Sequence, residues 1–319
     1  MSSLTDFTIC GSLGKACSGL SDVFLVKRLE DGSLSALRIL PTEKMDYEKI
    51  KVDVRYFLEE KTCCKDAKLV ELQDFKRISL LSEVKSIKLF NICNAFREGS
   101  VLNVMHNHYS CGLPEKAIAQ ILKNLLLAVQ YLHDQRIVHR SIRCSHILLH
   151  STGLVKLTGF RHCVFLRHNE LTGTDNVLHN FDAEISDELL WLAPEILRQD
   201  LHGYGLPSDV YSIGITICEM ANGFPPFSDM DRLRMLFEKS KGTTPRLLDC
   251  TTLSDKENME RDQQFRQRRR FSESLHSITD NCLKPLPENR WSVSKLLTHP
   301  FVKAIRKNRS FSSLLPDIT

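Results

Sequence analysis

No run of eighteen apolar residues occurs in the 319-residue chain, so the sequence offers no helix to span a bilayer. The start, MSSLTDFTICGSLGKACSGL, lacks a basic segment followed by an apolar one, and no secretory signal is expected from it. The eleven cysteines contain no C-x-x-C, and an odd number with an adjacent pair at Cys63–Cys64 fits reduced thiols better than a disulfide framework. Neither sign of charge dominates. A net charge of +4 does not by itself require nucleic acid, and none is expected as a partner. A soluble protein of cytoplasm and nucleus is the expectation. The most informative shortage is local: between Asp134 and Glu170 there is no Asp or Glu, although the stretch holds Arg136, Arg140, Arg143, Lys156, Arg161 and Arg167.

What is present reads as a β-rich part followed by a helical part. DVFLVKRL (22–29) and SLSALRIL (33–40) flank an Glu-Asp-Gly turn and predict a hairpin. A helix is expected within 66–82 and a buried strand at VLNVM (101–105). From Pro114 the pattern changes. Ile118, Ile121, Leu122, Leu125, Leu126, Val129 and Leu132 fall at helical spacing. SDVYSIGITICEMANG (208–223) predicts a mostly apolar helix stopped at Asn-Gly. Residues 251–274 carry many charges and few apolar side chains, the mark of a flexible insertion. The expected architecture is α+β and bilobal, with an N-lobe over 1–105, a C-lobe over 106–305 and a tail over 306–319.

Three motifs in order give this architecture a likeness. They are WLAPEIL (191–197), SDVYSIG (208–214), and Arg290 within PENRWSVSKLLTHPF. Together they resemble the protein kinases over about residues 8–305. The resemblance implies that Asp209 supports the backbone of the catalytic loop, that His139 packs beneath that loop, that Arg140 serves the architecture there, and that Arg290 pairs with Glu195.

The chemical motifs depart from the pattern. In HRSIRCSH (139–146), Ser141 stands where the family has its catalytic Asp and His146 where it has a metal-binding Asn. In LTGFRH (157–162), Gly159 replaces the metal-binding Asp and Arg161 the final Gly of Asp-Phe-Gly. Arg38 in ALRI replaces the strand Lys, fifteen residues after Val23. The glycine loop, GKACSGLSDV (14–23), keeps Gly14 but has Ala16 at its second glycine. A positioned base contributes roughly 10²–10⁴-fold to rate, and a serine hydroxyl is far too weak an acid to serve. Magnesium prefers carboxylate oxygen, which glycine lacks and imidazole replaces poorly. Arg for Lys exchanges a compact charge for a planar fork.

The combination of HRSIRCSHIL, a Gly-x-Arg triplet, a lengthened glycine loop and LRQDLHGYGLPSDVYSIGITICEMANG resembles the sterile-twenty-related adaptors, the STRAD pseudokinases. The resemblance implies an inactive adaptor that clasps a Ser/Thr kinase of the liver kinase B type and holds it active. A helical-repeat scaffold of the mouse protein twenty-five type would complete the complex. It also implies ATP held without hydrolysis, with no magnesium expected. Candidate nucleotide contacts are Gly14, Arg38, Met105, Arg143, His146 and Arg161, with Met105–His108 taken as the hinge. So short a hinge region leaves few residues before Pro114, and the helix that floors the cleft is expected to be missing. Glu71 and Asp74 are the candidates to pair with Arg38. Docking is expected on the activation segment 162–192 and the helix after GFPPF (223–227).

Two other readings compete. A weak atypical kinase predicts magnesium-dependent turnover. A basic phosphate- or nucleic-acid-binding module built on RQRRRFS (266–272) predicts steep salt dependence. The same stretch makes Ser272 a candidate phosphorylation site whose added charge could order the insertion. His146, His150, His162, Cys144 and Cys163 match no known zinc spacing, and no metal is expected there.

Overall fold

The computed structural model describes residues 7–16, 21–30, 32, 34–41, 72–76, 88–94, 99–150, 152–166, 168–169, 174–175, 177–179, 188–253, 268–305 and 309–315. Strands β1 (Phe7–Ala16), β2 (Ser21–Arg28), β3 (Leu34–Pro41), β4 (Leu72–Lys76) and β5 (Lys88–Asn94) form one antiparallel sheet in the order β1-β2-β3-β5-β4. The expected hairpin is β2–β3. Its turn closes where the Gly32 amide donates to the Arg28 carbonyl at 3.0 Å, with Gly32 at φ +70°. Arg38 sits on the central strand, paired with Val23 on one side and Asn91 on the other.

Two expectations for this half fail. Residues 72–76, inside the predicted helix at 66–82, form strand β4. Leu72 and Phe75 stand three apart, which reads as helical, but a bulge between Leu72 and Asp74 absorbs the extra residue. Asp74 therefore belongs to a strand and does not sit on a helix facing Arg38, while Glu71 lies outside the described residues. Residues 101–105 are likewise not a strand. They begin helix α1 (Val101–His108), whose Ser100 N-cap accepts a hydrogen bond from the Asn103 amide at 3.2 Å. Val101, Val104 and Met105 are buried at i, i+3 and i+4, a spacing that so short an apolar run does not distinguish from a strand. A helix thus does precede Pro114, where none was expected, and it packs with the helical part of the molecule.

Helix α2 (Glu115–Asp134) buries all seven of the predicted apolar residues. After the four-residue helix α3 (Pro194–Leu197) comes α4 (Pro207–Asn222), which buries fifteen of its sixteen residues and is the central rod of this half. Each fully buried Leu or Ile contributes about 1.5–3 kcal/mol, so these two helices hold a large share of the core's driving force. Gly223 ends α4 at φ +89°, where a Cβ would lie 2.0 Å from the Ser110 carbonyl oxygen; only glycine fits. Helices α5 (Arg232–Lys241), α6 (Glu273–Cys282) and α7 (Val293–Leu297) complete the lobe.

Two boundaries shift. Part of the predicted insertion is built into the lobe: Arg269 donates to the carbonyls of Cys111 and Leu248, Phe271 is buried, and α6 starts at Glu273. Residues 309–315 of the tail also pack on the lobe, since Phe311 and Leu315 are buried and the Gln120 amide clasps both the N–H and the carbonyl of Arg309, at 2.7 and 2.8 Å.

Candidate functional site

The loop at 139–146 is held from below by α4. Asp209, wholly buried, accepts from the amides of His139 at 2.8 Å and Arg140 at 2.9 Å, and contacts His133 Nε2 at 3.0 Å. Burial opposes its charge, yet the His133 contact and the His139 amide hold its carboxyl below the usual range. Arg140 adopts φ +62° and donates to the Tyr204 hydroxyl at 2.9 Å and to the His162 carbonyl. His139 accepts from the Ser141 amide at Nδ1, so its Nε2 carries the proton toward the Thr158 carbonyl, 3.1 Å away. Its ring meets Phe160 edge-on at 5.1 Å, and burial depresses its pKa to about 4.

On this frame Ser141, His146 and Gly159 meet. His146 Nδ1 lies 2.8 Å from the Ser141 carbonyl and 3.0 Å from the Ser141 hydroxyl. A carbonyl only accepts, so Nδ1 bears the hydrogen, and it cannot act as a base toward the serine. Burial first, and then the charge of Arg143, hold His146 down to about 3; the ring is neutral. Gly159 is left-handed at φ +89°, and a Cβ there would stand 2.4 Å from His146 Nδ1 and 2.5 Å from Cγ. The imidazole therefore occupies the space into which a side chain at 159 would project. Gly159 and His146 are sterically coupled.

The cationic stretch is approached by carboxylates from elsewhere in the chain, and each has a defined partner. Glu188 pairs with Arg143 at 3.1 Å, and the guanidinium also covers Trp191 at 5.3 Å from the ring centre. Arg143, expected against phosphate, thus faces the end of the activation segment. Glu219, from the interior of α4, accepts from the Cys144 amide at 3.1 Å and the Trp191 indole at 2.8 Å; burial raises its pKa. Glu195 receives Arg290 in a two-pronged contact of 2.7 and 2.8 Å, as the sequence implied. Among the described residues no group of three or more His, Cys, Asp or Glu is placed to hold a metal ion.

The other predicted contacts divide. Met105 is fully buried in the core through α1 and does not line a hinge. Gly14 lies in β1 opposite Val23, next to the loop that joins β1 to β2. Arg161 follows Gly159 in a single 3₁₀ turn, Phe160–His162; its side chain, like that of Arg38, lies outside the described residues. Ser272 is neither free nor in a loop: it caps α6, accepting from the Leu275 amide, and its hydroxyl and amide both donate to Glu115. Sequence reasoning missed Glu188, Tyr204, Glu219 and Lys239. Only Glu219 left a trace, as a lone acid in the apolar run ITICEMA.

Comparison with known proteins agrees with this geometry. The protein kinase domain model matches residues 9–302. A STE20-related kinase adapter protein of Caenorhabditis elegans is 38% identical over 225 residues, covering 69% of this chain and 57% of the relative. The STE20-related kinase adapter protein alpha of Gallus gallus is 36% identical over 257 residues, covering 72% of this chain and 65% of the relative. The beta form from Homo sapiens is 30% identical, covering 95% of this chain and 77% of its own length. The chain therefore spans less than two thirds of the first two of these relatives. No helix among the described residues is long and apolar enough to cross a membrane.

Proposed function

The chain belongs to the protein kinase family and, within it, to the STE20-related kinase adapters, and on that premise we propose that it is a catalytically silent adaptor. It binds a Ser/Thr kinase of the liver kinase B type and favours that kinase's active conformation. One observation carries the reading: the His146 ring fills the place of a side chain at 159, where the kinases carry a metal-binding acid. A cleft so filled gives magnesium neither the carboxylate nor the room it needs, while Ser141 supplies no base. ATP, if held, is neutralised by the arginines of the cleft rather than by metal. A helical-repeat scaffold of the mouse protein twenty-five type joins the complex in this reading.

Docking falls on the large lobe. On α5, Leu233 and Phe237 lie one turn apart and are 79% and 64% exposed. Leu201, beyond α3, is 92% exposed, and Arg198 joins that segment to α5 through the Ser240 carbonyl at 3.3 Å. Exposed Arg232, Arg234 and Lys241 rim the same helix, which suits a partner surface with an apolar anchor and an acidic border.

The test mixes the full chain with such a kinase and follows phosphorylation of the kinase's substrate. Stoichiometric addition is expected to raise activity, and the Leu233→Ala/Phe237→Ala variant to lose most of the effect. Unchanged partner activity across the titration would refute the adaptor role.

A further inference from the structure

One side chain of α5 is anomalous. Lys239 is 0% exposed and, among the described residues, no carboxylate is paired with it, yet its ammonium donates to the carbonyls of Leu189 at 3.0 Å and Leu190 at 2.8 Å. Beyond those bonds it faces the rings of Tyr211, 5.3 Å away, and Phe227, 6.0 Å away. Burial pushes its pKa well below the ordinary value, with Glu195 the charge that opposes the shift. Enclosing a lysine this way is costly, and the cost is offset only if its donors are satisfied. The residues flanking the two carbonyls make the contacts with the degenerate loop: Glu188 holds Arg143, and Trp191 shares Glu219 with the Cys144 amide.

We infer that Lys239 is a positioning residue: it fixes residues 188–191 and so couples the outer face of α5 to the loop at 139–146. The link is a series of direct contacts, from α5 through the two carbonyls to Glu188 and Trp191, then to Arg143 and Cys144. This rests on the reading of α5 as the docking face, and it names how an event there reaches the cleft. Such coupling is reciprocal, so a ligand in the cleft also biases the docking face.

The chain has two tryptophans, Trp191 and Trp291, which makes the link readable. The full chain is labelled with 5-fluorotryptophan, and the two ¹⁹F resonances are assigned with Trp191→Phe. In the free protein, Lys239→Met is expected to move the Trp191 resonance and leave that of Trp291 in place. Arg143→Met, which cuts the far end of the link without touching α5, is expected to do the same and decides the matter if Lys239→Met does not fold. Leu233→Ala/Phe237→Ala should move neither. Adding the unlabelled partner kinase is expected to move Trp191 in the wild type but not in Lys239→Met, although that variant still binds. A Trp191 resonance indifferent to both Lys239→Met and Arg143→Met would overturn the proposal, as would equal movement on partner binding with and without Lys239. Failure of the kinase to bind at all would count against the docking reading alone, because the free-protein measurements stand without it.

Discussion

The floor of the large lobe and the loop above it are held by different means. On the floor, Asp209 still gathers the amides of His139 and Arg140, and Arg290 still grips Glu195 with both prongs. In the loop, Ser141, His146 and Gly159 pack on one another, with His146 Nδ1 against Ser141 and its ring in the space of a side chain at 159. The difference teaches which parts of a kinase-like fold serve shape and which serve reaction. Buried ion pairs and loop-supporting carboxylates keep the activation segment and α4 in register whether or not a phosphate moves.

If the floor is structural, breaking it should cost the most. Arg290→Ala leaves Glu195 charged and buried, and the loss expected in urea unfolding is about 3–5 kcal/mol. A value near zero would mean that the pair is ornamental. The next effect should come from forcing the cleft back toward its ancestral-looking form. Gly159→Asp drives a side chain into the His146 ring at a left-handed backbone position, and is expected to destabilise by on the order of 3 kcal/mol. Gly159→Asp with His146→Asn should recover a large part of that loss, because the obstacle is gone. Simple additivity of the two changes would break the claim that the two positions are coupled.

The histidines sharpen the same contrast through pH. His139 and His146 are held neutral in the fold, at about 4 and about 3, against 6.5 in the open chain. The unfolded chain therefore binds more protons as pH falls below 6.5, so stability is full above that value and declines toward the folded pKa values. Between pH 6.5 and 5.5 the two together should lose roughly 2 kcal/mol, and His146→Asn should flatten part of the slope. The smallest effect concerns the border of the insertion. Ser272→Ala removes the cap of α6 and one contact with Glu115, with an expected loss of about 1 kcal/mol in the same unfolding assay.

The floor was legible in the sequence because its members sit inside ordered motifs: Asp209 in SDVYSIG, Glu195 in WLAPEIL and Arg290 in PENRW each announce a partner by position. Ser141, His146 and Gly159 were legible as departures from the kinase pattern. Their mutual fit was not, since only the fold shows that the ring of one fills the space above the other. The Arg143 pairing was not legible because its partner Glu188 lies 45 residues further along, on a segment whose return to the loop no local pattern announces. Helix α1 was misread because five apolar-rich residues satisfy either period, and Ser100 as a cap settles the matter only once its hydroxyl is seen on Asn103. Lys239 gave no signal at all; a lysine near the end of an amphipathic helix reads as solvated.

The account turns on whether this cleft moves a phosphoryl group. The direct measurement is transfer of labelled γ-phosphate from magnesium ATP by the full chain, alone, with Ser141→Ala as the paired control. The account predicts no transfer above that control. Magnesium-dependent transfer that disappears in Ser141→Ala would contradict it.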